Sequence, residues 1–126
     1  MIHINIGSNL NSKFGSRLEN ILIAINLLIE SKVKIKKVSN IYETPSYPNN
    51  KFPKFFNVGV YADFKKKSYD LLQIINIIEK KIGRLKTNKN YPRVIDIDIV
   101  DFKGLIEDTK EIKLPHPKSH LRNFVL

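Results

Sequence analysis

Apolar positions along the chain fall into two rhythms. Ile2, Ile4 and Ile6 alternate with polar residues up to Gly7-Ser8-Asn9, which predicts a short first strand. Leu18, Ile21, Leu22, Ile25, Leu28 and Ile29 then recur at three- and four-residue spacing. That spacing predicts an amphipathic helix from about Ser16 to Ser31. Val33 to Tyr42 reads as a strand with a basic outer face at Lys32, Lys34 and Lys36, and Thr44 to Pro53, with three prolines and two asparagines, reads as a loop. Phe56, Val58, Val60, Ala62 and Phe64 alternate in a third strand. Ser68 is a plausible N-cap for a second helix carrying Leu71, Leu72, Ile75, Ile78 and Ile82, and Gly83 supplies its stop. Arg84 to Pro92 is a polar, basic loop before a β-branched run, Arg93-Val94-Ile95-Asp96-Ile97-Asp98-Ile99. A turn at Gly104 and the segments Pro115-His116-Pro117 and Arg122-Asn123-Phe124-Val125-Leu126 complete the chain.

The order is βαββαβ with an extension. Two helices between strand pairs predict an α+β fold, a ferredoxin-like sandwich in which helices pack on a mainly antiparallel sheet. A length of 126 residues suits one domain with a real core. No repeat, long linker or low-complexity tract interrupts it.

Composition narrows the chemistry. Hydrophobic residues at 42% and charged residues at 27% are ordinary for a globular protein. With no cysteine there is no disulfide framework, thiolate metal site or catalytic thiol. No apolar run is long enough to span a membrane and no signal peptide is visible, so a soluble cytoplasmic protein is expected. Lysine plus arginine total 22 against 12 acidic residues, a net charge of +10. That balance favours anionic partners, although the joint richness in Lys, Ile and Asn is also what an AT-rich genome produces.

The densest chemical signal is the Asp96-x-Asp98 pair. On a strand both carboxylates share a face, roughly 7 Å apart at Cα, while Ile95, Ile97 and Ile99 fill the other. Such a pair suits a hard divalent cation whose shell is completed by phosphate oxygens; it is also what the solvated face of any half-buried strand presents. Phe55 and Asn57 share the face opposite Phe56. A ring beside an amide suits a flat heterocycle, or is a surface aromatic with a polar neighbour. Tyr42-Glu43-Thr44-Pro45 is a further candidate, or a plain strand end. Glu79, Gly83, Arg84, Lys86, Lys89 and Arg93 form a basic loop able to close over phosphates, or a solvated connector. His116, held between prolines and followed by Arg122 and Phe124, is placed to donate to a phosphate, or is a structural turn. His3 and His120 have no such setting. There is no Gly-x-x-x-x-Gly-Lys-Ser/Thr loop, no Gly-x-Ser-x-Gly and no metal-type His/Glu pairing.

Taken in order, Ile6-Gly7-Ser8-Asn9-Leu10, Ser39…Tyr42…Thr44-Pro45, Phe56-Asn57, Leu71-Leu72…Ile78-Glu79…Gly83-Arg84, Pro92-Arg93…Ile95-Asp96-Ile97-Asp98-Ile99 and Pro115-His116-Pro117…Arg122…Phe124-Val125-Leu126 resemble the 6-hydroxymethyl-7,8-dihydropterin pyrophosphokinases. The resemblance spans nearly the whole chain and implies a single pyrophosphokinase domain over residues 1–126. It implies transfer of the pyrophosphoryl group of ATP to the pterin hydroxymethyl group, with release of AMP, in folate synthesis. Asp96 and Asp98 would hold two Mg²⁺ ions and, with Arg84 and Arg93, form the catalytic set. Leu72, Glu79, Arg84, Lys86, Arg93, Ile99, His116 and Arg122 would bind ATP. Thr44, Pro45, Phe55, Asn57 and Phe124 would bind the pterin. ATP and hydroxymethyldihydropterin are the implied partners, with no nucleic acid or membrane, and a monomer is favoured.

Departures from the family pattern are visible. Lys86 and Lys89 stand where many relatives use arginines, which removes the bidentate fork. There is no tryptophan, and the sequence ends at Leu126 where relatives usually continue, over a part that would cover one side of the sheet. These features keep open a catalytically weakened pterin- or nucleotide-binding relative. A basic RNA-binding module shares the βαββαβ order, but Phe55-Phe56-Asn57-Val58-Gly59-Val60-Tyr61 does not carry the aromatic pattern such modules use.

Overall fold

The computed structural model describes residues 1–45, 53–84 and 93–115. Its centre is β1 (Ile2–Ser8), every residue of which is buried. β4 (Phe55–Asp63) and β5 (Asp96–Phe102) flank it, both antiparallel. β2 (Lys34–Val38) and β3 (Tyr42–Thr44) both pair with the far side of β4, giving the order β2-β4-β1-β5 with β3 beside β4. This is the expected α+β arrangement and the ferredoxin-like strand order.

One expected strand is two. The run from Val33 to Tyr42 breaks because Ser39 competes for the ladder. Its N–H donates to the Gly59 carbonyl at 2.8 Å, and its hydroxyl accepts the Gly59 N–H at 2.8 Å. Pairing resumes only at Tyr42, opposite Asn57, so Thr44 ends a strand rather than opening a loop. The β2–β4 register also shifts between Ile35 and Lys37, leaving Lys36 out of step on the rim of the sheet.

α1 (Arg17–Glu30) starts with a capping box. The Glu19 N–H donates to Ser16 Oγ at 3.3 Å and the Ser16 N–H donates to Glu19 Oε1 at 3.1 Å. Its buried stripe is Asn20, Ile21, Ala24 and Leu28. Leu22 and Ile29, expected on that stripe, are 52% and 50% exposed, because the six apolar positions spread wider than the sheet can cover. α2 (Ser68–Ile82) is capped from Lys67, whose N–H donates to Asp70 Oδ2 at 3.1 Å. Ser68 is the first helical residue, not the cap, and its hydroxyl reaches the Glu107 carboxylate at 2.8–2.9 Å. Gly83 ends the helix at φ 112°, the left-handed conformation glycine tolerates.

The helices pack on each other and on one face of the sheet. Ile2, Ile4 and Ile6, Val58, Val60 and Ala62, and Ile97 and Ile99 meet Ile21, Leu28, Leu71, Ile75, Ile78 and Ile82 in a single cluster. After β5 the chain turns at Lys103 and Gly104, both at positive φ. It then forms the small hairpin β6 (Glu107–Asp108) and β7 (Lys113–Leu114). No helix among the described residues is long and apolar enough to cross a membrane.

Candidate active site

Because strand side chains alternate, burying the isoleucines against the helices sends their neighbours to the opposite face. Register assembles that face in rows. Asn57, Gly7 and Asp96 lie side by side, then Gly59, Asn5 and Asp98, then Tyr61, His3 and Asp101. The third row keeps its place because the β1–β5 register shifts between His3 and Ile4, so that Asp101 rather than Val100 faces His3.

At the β4 end of the first row, Asn57 is only 4% exposed. Its Nδ2 donates to Thr44 Oγ1 at 2.7 Å, across the pairing that also sets Thr44 opposite Phe55. Gly7 is glycine for space: a Cβ there would lie 2.8 Å from Asn57 Oδ1 and 3.5 Å from the Phe55 ring. The amide and ring therefore lean over bare backbone. Phe56 points the other way, under the Arg17 guanidinium 4.2 Å above its ring. Thr44, Phe55 and Asn57 are thus brought together, with Pro45 next in the chain and exposed.

At the β5 end both oxygens of Asp96 meet arginines. Arg84 Nη1 lies 3.1 Å from Oδ1 and Arg93 Nη1 lies 3.5 Å from Oδ2. The same Arg84 nitrogen donates to Glu79 Oε2, which also accepts the Ile97 N–H at 2.9 Å. Glu79 is 8% exposed. Burial pushes its carboxyl up to about 7 against the pull of Arg84 and the Ile97 amide. The Arg84 guanidinium is held above its ordinary value: burial opposes the charge, but Glu79 and Asp96 outweigh it. Leu72 lies two turns before Glu79 on the same side of α2 and is half-buried. Ile99 is buried among the core residues facing the helices, so its side chain does not join the open face. Lys86, His116, Arg122 and Phe124 lie outside the described residues.

Sequence patterns missed the frame that holds these pieces. Asn9 and Arg93 exchange two hydrogen bonds: the Asn9 N–H donates to the Arg93 carbonyl at 3.1 Å, and the Arg93 N–H donates to Asn9 Oδ1 at 2.6 Å. Asn9 Nδ2 also donates to the Pro53 carbonyl at 3.1 Å. One side chain thus ties the lead into β4 to the lead into β5, and Arg93, Val94 and Ile95 precede the strand instead of opening it. Beneath it, Asn20 Nδ2 donates to the carbonyls of Leu10 at 3.0 Å and Val94 at 3.1 Å, and the Ser8 hydroxyl donates to Val94 at 2.6 Å. The visible signal was a polar Asn20 set in the apolar stripe of α1.

Two buried polar atoms on the open face have no hydrogen-bond partner among the described residues: Asn5 Oδ1 and His3 Nε2. His3 stacks on Tyr61 with centroids 4.5 Å apart, and burial lowers its pKa despite Asp101. Asn5, 2% exposed, sits directly across the ladder from Asp98. An amide oxygen and carboxylates together are the hard-oxygen donors that divalent cations favour. Among the described residues no three His, Cys, Asp or Glu side chains gather to hold an ion.

A family model, 7,8-dihydro-6-hydroxymethylpterin-pyrophosphokinase, matches residues 3–126. The chain belongs to that family. The 2-amino-4-hydroxy-6-hydroxymethyldihydropteridine pyrophosphokinase of Aquifex aeolicus is 35% identical over 123 residues, covering 98% of this chain and 74% of that protein. The Bacillus subtilis protein of the same name is 32% identical over 125 residues, covering 98% and 72%. The folic acid synthesis protein FOL1 of Dictyostelium discoideum is 37% identical over 126 residues, covering 100% of this chain but 18% of that longer protein. The chain thus spans less than a fifth of that relative. Within this pyrophosphokinase fold, Asn57 and Asp96 mark the two ends of one row on the open face.

Proposed function

We propose that this pyrophosphokinase moves the β,γ-pyrophosphoryl group of ATP onto the hydroxymethyl oxygen of 6-hydroxymethyl-7,8-dihydropterin, with Mg²⁺ held by Asp96 and Asp98. The observation that carries the reading is the Asn57–Gly7–Asp96 row. Two strand spacings separate a heterocycle-reading amide from a phosphate-side carboxylate by roughly 10 Å. A pterin paired with Asn57 at one end directs its hydroxymethyl arm toward the other.

In that pose Asn57 orients the ring through its amide, Thr44 fixes the amide, and Phe55 supplies an aromatic wall. Asp96 and Asp98 fit an oxygen-liganded cation because both are half-buried on one face, with Asn5 directly across the ladder from Asp98. When bound, Mg²⁺ supplies neutralisation of phosphate charge and orientation of the attacking hydroxyl. Arg84 and Arg93 bring guanidinium charge to the same place for the phosphates and the leaving AMP, and Lys86, His116, Arg122 and Phe124 are assigned to the remaining ATP and pterin contacts. The step is an in-line displacement: the pterin oxygen bonds to the β-phosphorus, the β-phosphorus–oxygen bond to the α-phosphate breaks, and the hydroxyl proton leaves to solvent. The protein contributes position and charge rather than a covalent nucleophile.

The test is pterin-dependent AMP formation from ATP with Mg²⁺. Asp98→Ala should lower it by roughly 10³-fold, the scale of several kcal/mol of metal-assisted stabilisation. Unchanged turnover in Asp98→Ala would remove the metal assignment. Pterin binding without AMP in the unsubstituted protein would favour the weakened relative.

A further inference from the structure

The contacts that hold Asp96 bear on how a cation reaches it. Its two carboxylate oxygens are met by Arg84 at 3.1 Å and Arg93 at 3.5 Å. A divalent cation on those oxygens comes within a few ångströms of both guanidinium groups, and like charges at such distances repel strongly in a half-buried site. Cation and arginines are therefore competitors for Asp96. Nucleotide phosphates reverse the balance, because they offer the arginines charge-assisted hydrogen bonds of their own.

Both arginines have backbones held independently of Asp96. Arg84 Nη1 touches Glu79 as well as Asp96, so it can release Asp96 and stay tethered. Its backbone N–H is fixed on the Glu79 carbonyl at 2.9 Å, just past the Gly83 turn. The Arg93 backbone is held from both sides by Asn9, at 2.6 and 3.1 Å. Each guanidinium thus extends from an anchored root.

We propose that Arg84 and Arg93 act as exchangeable counter-ions on Asp96, excluding a free divalent cation and yielding it only to a cation that arrives with nucleotide phosphates. The proposal rests on the Asp96–Asp98 metal reading above. It makes the arginines work with opposite sign on two ligands: against the bare cation and for the cation–nucleotide complex.

Mn²⁺ in place of Mg²⁺ lets electron paramagnetic resonance count free and bound ion without any turnover. The unsubstituted protein is titrated with Mn²⁺ alone, and with Mn²⁺ plus an ATP analogue whose α,β-bridge cannot be cleaved. Arg93→Ala, and Arg93→Gln should the alanine variant melt early, are taken through both titrations, with Asp96→Asn as the metal control. Arg93→Ala is expected to bind Mn²⁺ alone roughly fivefold more tightly and the Mn²⁺–analogue complex roughly fivefold more weakly. Loss of affinity for both, or no change for Mn²⁺ alone, overturns the exchange. If the unsubstituted protein captures no Mn²⁺ even with the analogue, or Asp96→Asn captures it equally, the metal reading itself fails, and the exchange with it.

Discussion

The two faces of one sheet differ more than any two elements of the chain. Toward the helices, β1, β4 and β5 present Ile2, Ile4, Ile6, Val58, Val60, Ala62, Ile97 and Ile99 in one apolar cluster. On the other side the same strands carry His3, Asn5, Asn57, Asp96 and Asp98. Residues next to each other in sequence therefore serve stability or chemistry according to parity, reset once along β5 by the shift that sets Asp101 across from His3. A slip of one residue in pairing would exchange the two sets entirely. Glu79 is where the faces meet: it grows from the helix layer and ends on Arg84 and the Ile97 amide, within reach of Asp96.

Substitutions at adjacent positions sharpen the contrast. Ile4→Ala opens a void in a fully buried site and should cost about 3 kcal/mol in chemical denaturation, while pterin affinity at the folded protein stays as it was. Glu79 should impose a pH slope of similar size. Its carboxyl is raised to about 7 in the fold from an ordinary 4.5, so the folded state holds the proton more tightly than the unfolded chain. The contribution is complete below about pH 4.5 and disappears as pH rises through about 7, a change of about 3 kcal/mol. Melting temperature against pH should flatten over that window in Glu79→Gln; an unchanged slope would place its origin elsewhere. Gly7→Ala pushes a methyl to 2.8 Å from Asn57 Oδ1. It should raise the pterin KM roughly tenfold with little effect on ATP. Asn5→Ala removes a buried oxygen that has no hydrogen-bond partner among the described residues. Stability should stay within about 1 kcal/mol of the parent or rise, and a loss matching Ile4→Ala would erase the distinction between the faces.

Parity was legible from sequence because alternation needs only a strand and a buried side. It placed Asp96 and Asp98 together, set Phe55 and Asn57 opposite Phe56, and identified the helix–sheet order. The break at Ser39 was not legible: it depends on which hydroxyl finds Gly59, a residue 20 positions away. Nor was the frame of Ser8, Asn9 and Asn20, since a bond from Asn20 to Val94 spans 74 positions and leaves no local pattern. Ser68 looked like a cap because serine usually is one, but its hydroxyl is taken by Glu107. Ile99 follows parity into the core, as its alternation with Asp98 required.

The lysines along β2 carry a consequence for handling the protein. Lys34, Lys36 and Lys37 line an outer strand whose register is broken at Lys36. Among the described residues no strand pairs with its outer side; such a rim is a template for another copy's backbone, and closely spaced positive charges along it oppose that docking. The protection is Coulombic and short-ranged, so added salt erodes it as the screening length contracts to about 3 Å at molar strength. Concentrated stocks should therefore stay clear in dilute buffer and cloud first at high ionic strength.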